Sequence, residues 1–280
     1  MKILVFGKTG QVASELQRQA DVTALDRSQA DLSDPAACAE IIQQTDADVI
    51  INVAAYTAVD QAETNEDLAT TINAVAPTKM AKAAAARGLP FLHVSTDYVF
   101  DGSGSASRRP EEPAVPINAY GRSKLAGEQG VAAAGGTYAI LRTSWVFSGH
   151  GANFVKTMLR LGKERNVLNV VNDQIGGPTP AAGIAATLLH MAEHLRPDNS
   201  GIYHYSGAPH VSWKGFANEI FRQADLPIEV FGIPTSSYPT PAMRPLNSRL
   251  NCTAIKNMFG IAQPDWRAEL TDVLRDLGEI

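Results

Sequence analysis

Tyr120 and Lys124 stand four residues apart in the run Tyr120-Gly121-Arg122-Ser123-Lys124. On a helix, that spacing puts both side chains on one face. An ordinary phenol titrates near 10 and donates a proton poorly at neutral pH. An ammonium beside it favours phenolate and is expected to lower that value. Such a phenol can protonate a carbonyl oxygen while hydride reaches the carbon. Of the seven tyrosines, Tyr120 alone has a lysine four positions on. A pair of this kind arises by chance often enough to need support. Thr96, in Ser95-Thr96-Asp97-Tyr98-Val99-Phe100, supplies some. A hydroxyl closing an apolar run can bond and polarise a carbonyl oxygen, although it can equally close a turn on its own backbone.

A second constellation says where hydride would come from. Gly7-Lys8-Thr9-Gly10-Gln11-Val12-Ala13 follows the apolar run Ile3–Phe6 and opens a helical pattern. It is a G-x2-G-x2-A form of the dinucleotide fingerprint. Gly7 allows the tight turn, Gly10 lets the backbone approach a pyrophosphate, and Ala13 lets the helix sit close to the sheet. Gln11 and Val12 begin the helix, whose free N–H groups and positive dipole end suit phosphate. Glycine at a strand-to-helix turn often serves the backbone alone; here its place in the first βαβ unit favours a cofactor. The next apolar run ends Leu25-Asp26-Arg27. An acid about 20 residues past the glycines holds the ribose hydroxyls of NAD, and an adjacent Arg accepts the 2′-phosphate of NADP. Both are present, so NADPH and NADH are both expected to fit. Asp31 and Leu32 are placed along the adenine, and Ala54, Ala55 and Tyr56 where the cofactor passes the third run. Lys124 would also hold the nicotinamide ribose, and the oxidised ring would add its charge to the pull on Tyr120.

The elements that position these groups alternate. Strands are predicted at Ile3–Phe6, Val22–Leu25, Val49–Val53, Phe91–Ser95 and Tyr138–Thr143. Helices are predicted at Val12–Gln19, Pro35–Gln44, Asp67–Arg87 and Asn118–Ala133, with a loop over Gly102–Pro116. Apolar runs without alternation are buried on both faces. Strands alternating with helices wind right-handed into a parallel sheet. The fold class is therefore α/β, a doubly wound parallel Rossmann-type sheet with a smaller C-terminal substrate-binding region. Residues 1–148, with about 181–205, are assigned to the dinucleotide-binding part, and 149–180 with 206–280 to the substrate side. In the latter, helices are predicted at Asn153–Arg165, Ala181–His194, Trp213–Ala224 and Trp266–Leu277. Pro227, Pro234, Pro239, Pro241 and Pro245 mark a stretch of low regularity. Trp213, Phe216 and Trp266 read as core anchors. Arg244 is the candidate for a diphosphate, because a guanidinium matches phosphate oxygens bidentately; its bland alternative is a surface charge in a Pro-rich loop.

The bulk numbers narrow the classes. The chain has 280 residues, 45% hydrophobic and 19% charged, with net charge −5. Nucleic-acid binders need a basic surface to displace counterions, so that partner is not expected. No apolar stretch approaches the roughly 20 residues of a membrane span, and the Ile3–Phe6 run is too short for a signal sequence. Two cysteines, Cys38 and Cys252, fit a reducing, cytoplasmic setting. His190 and His194 share helical spacing but lack the acid of a zinc-hydrolase motif, so no metal site is expected.

On these residues the chain resembles the extended short-chain dehydrogenase/reductases. Within them it is similar to the dTDP-4-dehydrorhamnose reductase family along nearly its whole length. The resemblance rests on Phe6–Val12, Thr57-Ala58-Val59-Asp60, Ser95–Phe100, Tyr120–Glu128 and Leu141–Phe147. It continues in Asn172-Asp173-Gln174, Gly177-Pro178-Thr179 and Arg244–Leu250. It implies hydride transfer from NADPH or NADH to C4 of dTDP-4-dehydro-L-rhamnose, giving dTDP-L-rhamnose for surface polysaccharide. It implies catalytic roles for Thr96, Tyr120 and Lys124, and places Asp97 and Trp145 near the sugar; Asn153 is grouped with them on the substrate side. Some relatives dimerise around Mg2+ held by glutamates. Glu15 is present, but Thr179-Pro180-Ala181-Ala182 holds no acid, so the metal is not carried over and a homodimer stays open. Two rivals share the fold. A dehydratase or epimerase is one; the dehydratase family reads Thr-Asp-Glu at the strand end, where Tyr98 stands here. A non-catalytic reductase-like regulator is the other, and such proteins often lack the Tyr/Lys pair.

Overall fold

The computed structural model describes all residues, Met1–Ile280. The apolar runs become strands: β1 (Ile3–Phe6), β2 (Thr23–Leu25), β3 (Val49–Asn52), β4 (Phe91–Thr96) and β5 (Tyr138–Thr143). β1 and β3 are buried at every position, because helices cover both faces of the sheet. With Gly201–His204 the strands form one parallel sheet in the order Gly201–His204, β5, β4, β3, β1, β2. β1 has β2 on one side and β3 on the other, so winding reverses there and leaves a crevice at the strand ends. No helix is long and apolar enough to cross a membrane.

The segment expected as one helix over Asp67–Arg87 is broken in a defined way. Helices Glu66–Thr70 and Ala76–Ala86 are joined by a π-helical turn, Thr71–Val75. Pro77 has no N–H to give the Asn73 carbonyl, so the ladder loosens at that turn. Gly127 of the facing helix Ala119–Ala132 packs against the freed carbonyl, where any side chain would collide with it. The Asn73 side chain points the other way and bonds both the N–H and the carbonyl of Tyr56, at 2.8 and 3.0 Å. The distortion thus fixes the loop after β3.

Helix Ala119–Ala132 carries Tyr120 and Lys124 and is held at both ends. Asn118 caps it, accepting from the Gly121 N–H at 2.7 Å. Further along, Glu128 receives both arms of Arg142 from β5, at 2.9 and 2.7 Å. Both side chains are at most 3% exposed, and the guanidinium also lies 5.0 Å from the Phe100 ring centroid.

The C-terminal side packs helices Phe154–Glu164, Trp213–Gln223 and Trp266–Asp276 around Phe147, Phe216 and Trp266. Three short sheets brace it. Ile175–Gly176 lies between Val211–Ser212 and Asn247–Ser248, Val167–Val171 pairs with Glu229–Ile233, and Val146–Phe147 with Thr179–Pro180. Glu229–Ile233 falls in the stretch expected to be irregular. It is an edge strand with no buried residue, so it shows no apolar run. Gly201–His204 and helix Thr253–Phe259 also lack a sequence signal. The first is four residues long, and the second has no side-chain cap.

Candidate active site

The ends of β1, β3, β4 and β5 face Trp145, Gly151, Ala152 and Trp213 across a cleft of ≈ 800 Å³. Gly7, Gly10, Gln11, Val12, Asp26, Arg27, Asp31, Leu32, Ala54, Ala55, Tyr56, Thr96, Asp97, Tyr120, Lys124 and Trp145 all line it.

At the glycine end, the geometry suits a dinucleotide. Gly7 has φ 107°, a conformation that L side chains rarely adopt, and a Cβ there would sit 3.2–3.3 Å from Val53 and Ala54. Gly10 faces open space and leads into helix Gln11–Gln19 with no side-chain cap, so its first N–H groups remain for a ligand. At the ribose corner, Asp26 accepts from Ser28 N–H and Oγ, at 2.9 and 2.6 Å. The Ser28 bonds chiefly hold its pKa below the usual range. Arg27 turns to Asp31 at 3.1 Å, and Lys8 Nζ lies 4.0 Å from Asp26. Lys8 was not among the sequence candidates. The corner therefore offers a carboxylate for ribose hydroxyls and two cations for a 2′-phosphate.

At the opposite end, the charges differ from expectation. Burial pushes the Tyr120 phenol up to about 12; the Thr96 hydroxyl pulls it down and Asp97 pushes it further up. The Lys124 Nζ lies 2.7 Å from the Val94 carbonyl and 3.2 Å from His93 Nε2. Burial pulls Lys124 itself down to about 8. A phenol so raised stays protonated at neutral pH, the state a proton donor needs. Asp97 is buried and raised to about 6 by that burial. The Ser248 and Thr96 hydroxyls pull it back down; Oδ1 receives Thr96 at 3.2 Å, while no donor meets Oδ2 in bonding geometry. Tyr98, which stands where an acid would serve elimination, is driven up by burial and packs edge-on against Tyr120 with ring centroids 5.6 Å apart.

The third wall is aromatic. Trp145 and Trp213 stack with centroids 3.6 Å apart and planes 12° from parallel. Trp213 packs on the core against Phe154, as expected, but also lines the cleft and bonds Gln174 Oε1 through its indole N–H at 3.0 Å. Phe216 and Trp266 are fully buried. Trp145 has φ 49°, an unfavourable backbone for so large a residue that persists because its surroundings determine it. Gly176 makes room for the ring, since a Cβ there would come within 2.8 Å of it. Gly176→Ala is therefore expected to displace Trp145 and raise KM for the ketone substrate by about tenfold, for about 1–2 kcal/mol of misplacement. Cofactor Kd should stay unchanged; titration of each ligand separates the two.

Two expected substrate residues do not line the cleft. Asn153 caps helix Phe154–Glu164 with its oxygen, 3.1 Å from the Lys156 N–H. Its amide nitrogen reaches Gln11 Oε1 and the Ser148 carbonyl, at 3.0 and 2.8 Å. Both ends are occupied, so it joins the segment around Ser148 to the glycine turn instead of facing substrate. Arg244 bonds Asp60 at 2.8 Å, close enough to Tyr98 for its charge to favour that phenolate. Asp60 also accepts from the Ala242 N–H at 3.1 Å, and Asn118 donates to the Met243 carbonyl at 2.8 Å. The Pro-rich loop is thus tied to the rim beside Tyr120.

A family model described as RmlD substrate binding domain matches residues 1–279. The dTDP-4-dehydrorhamnose reductase of Burkholderia thailandensis is 44% identical over 99% of both chains. That of Escherichia coli K12 is 41% identical over 99% of this chain and 98% of its own. Among solved structures, the dTDP-4-dehydrorhamnose reductase of Clostridium acetobutylicum superposes with a TM-score of 0.94 at 36% identity, covering 99% of this chain and all of that one. The Bacillus anthracis reductase, solved in complex with NADP, gives 0.93 at 35%, covering 98% and 99%.

Proposed function

Because the chain belongs to the dTDP-4-dehydrorhamnose reductase family from end to end, we propose that its cleft reduces the C4 ketone of dTDP-4-dehydro-L-rhamnose to dTDP-L-rhamnose. The observation that carries the reading is Tyr120, with the Thr96 hydroxyl near enough to pull its pKa down and Asp97 alongside, in the same cleft as an open glycine turn. NADPH or NADH, when bound, supplies the hydride. Gly7, Gly10 and the N-terminus of helix Gln11–Gln19 hold the pyrophosphate, Asp26 the ribose, and Lys8 with Arg27 a 2′-phosphate. Thr96 and Tyr120 converge on the ketone oxygen: Thr96 orients it by hydrogen bonding, and Tyr120 gives it the proton. Asp97 Oδ2 accepts from a sugar hydroxyl, and Trp145 covers the ring. The absence of an acid at position 98 argues against elimination on the same scaffold. The two free, buried cysteines support a cytoplasmic address.

The test is product analysis with dTDP-4-dehydro-L-rhamnose and a panel of related keto sugars. Stoichiometric NAD(P)H oxidation supports reduction. Turnover without net oxidation would indicate an epimerase or dehydratase, and cofactor binding with no turnover a regulatory protein. Arg244, released from Asp60 or shared with it, is assigned to the diphosphate of the nucleotide sugar. Arg244→Ala is expected to raise KM for that substrate at least about tenfold, matching the loss of a charge-assisted bond worth about 1.5–3 kcal/mol. Equal effects on substrate and cofactor would remove it from the site.

A further inference from the structure

We propose that His93, backed by Asn52, is a positioning residue that presents an N–H to Lys124 and so favours the amine form of the free protein's lysine over the ammonium, making it charge only at lower pH. The proposal rests on the reading that Lys124 works beside Tyr120, and adds what sets its proton.

The three side chains form a buried line. Asn52 is 0%, His93 1% and Lys124 2% exposed. Asn52 Oδ1 accepts from the Ala54 N–H at 3.2 Å, which orients the amide. Its nitrogen then faces His93 Nδ1 at 3.1 Å. An amide nitrogen only donates, so Nδ1 must accept, and a neutral ring with that lone pair free carries its proton on Nε2. Nε2 faces Lys124 Nζ at 3.2 Å. An N–H directed there is accepted only by an amine lone pair. The amine keeps hydrogens of its own, one of which goes to the Val94 carbonyl at 2.7 Å.

An ammonium would set N–H against N–H. To avoid this, the ring proton must move to Nδ1 and the Asn52 amide must turn over, losing Ala54. One feature pulls toward that alternative: the Asn52 main-chain carbonyl also draws on the ring. The bond formed at Nδ1, however, is to the amide. Burial acts in the same sense as the network, drawing His93 well below its usual value and Lys124 down to about 8. Among the charged groups around the lysine, Glu128 on its own helix favours the ammonium, but its carboxylate already binds Arg142. Tyr120 on that helix and Asp97 just after β4 line the same cleft as the lysine. The charge on Lys124 is thereby tied to two residues that never touch substrate.

The test uses the full chain labelled with 15N-histidine, without cofactor. The resonance of His93, one of six histidines, is assigned by its loss in His93→Gln. The expected result is a neutral ring protonated on Nε2 above the Lys124 midpoint near pH 8, with the proton moving to Nδ1 as Lys124 charges below it. In Asn52→Asp, the carboxylate only accepts, so the proton stays on Nδ1 throughout. Lys124 then remains charged to higher pH, and the alkaline limb of kcat/KM moves up by about one unit or more. Should that variant not fold, a second pair carries the test. His93→Leu removes the donor and moves the limb upward, whereas His93→Gln, whose amide can still direct an N–H at the lysine, moves it less. A wild-type ring protonated on Nδ1 at alkaline pH overturns the proposal, as does a limb unmoved in both Asn52→Asp and His93→Leu. The tautomer is read without substrate, so failure of the assigned reaction leaves this test intact.

Discussion

Tyr120→Phe is expected to lower kcat for reduction by about 10²–10⁴-fold, the range for a lost general acid. The change removes one oxygen from a buried phenol that burial keeps protonated. No other group in the cleft is placed to replace it. Tyr98, its neighbour, is raised still further and faces Asp97. The ring remains, so packing against Tyr98 and against Ala62, Ala69 and Ala119 survives. Cofactor Kd, measured by fluorescence titration, should be nearly unchanged. Turnover retained within a few-fold would remove Tyr120 as the proton donor and pass the role to solvent or Thr96.

Arg142→Met is expected to destabilise the fold by about 3–5 kcal/mol, because it leaves Glu128 buried with no countercharge. The pair lies one turn beyond Lys124 on the helix that carries Tyr120 and Lys124, and both arms of the guanidinium are in place. Arg142 also donates to the Pro110 carbonyl at 3.2 Å, so the loop before that helix loosens as well. Denaturant unfolding measures the loss. Glu128→Leu in the same chain should restore much of it, since two apolar side chains no longer bury a lone charge. A double variant as unstable as the single one would show that packing around Phe100, not charge, carries the effect.

Much of the site is legible in the sequence because its chemistry is local. The glycine turn, Asp26 with Arg27, the strand-end Thr96 and the Tyr120/Lys124 pair each lie on one element or one turn. The aromatic wall is not legible in the same way. Trp213 sits at a helical position that suits a core residue, and only its stack on Trp145 turns it toward the cleft. The one signal is indirect: Asn172-Asp173-Gln174, whose Gln174 receives the indole N–H. Asn153 departs in the opposite direction. Its amide has a nearer use, capping a helix and bonding Gln11. His93 carries no signal because it lies inside an apolar strand, where a histidine without a visible partner reads as core.

By itself the sequence determined the alternation of strand and helix, the parallel sheet that follows from it, and the residues able to bind a dinucleotide and move a proton. Those features depend on periodicity and on neighbours a few positions apart. The tertiary structure alone decided which way Lys124 points, that Tyr120 is raised and not lowered, that Arg142 answers Glu128, and that Asp60 holds the Pro-rich loop at the rim. Each depends on burial or on a partner from a distant element. Desolvation and pairing depend on what surrounds a charge in space, and that order is set only when the chain closes on itself.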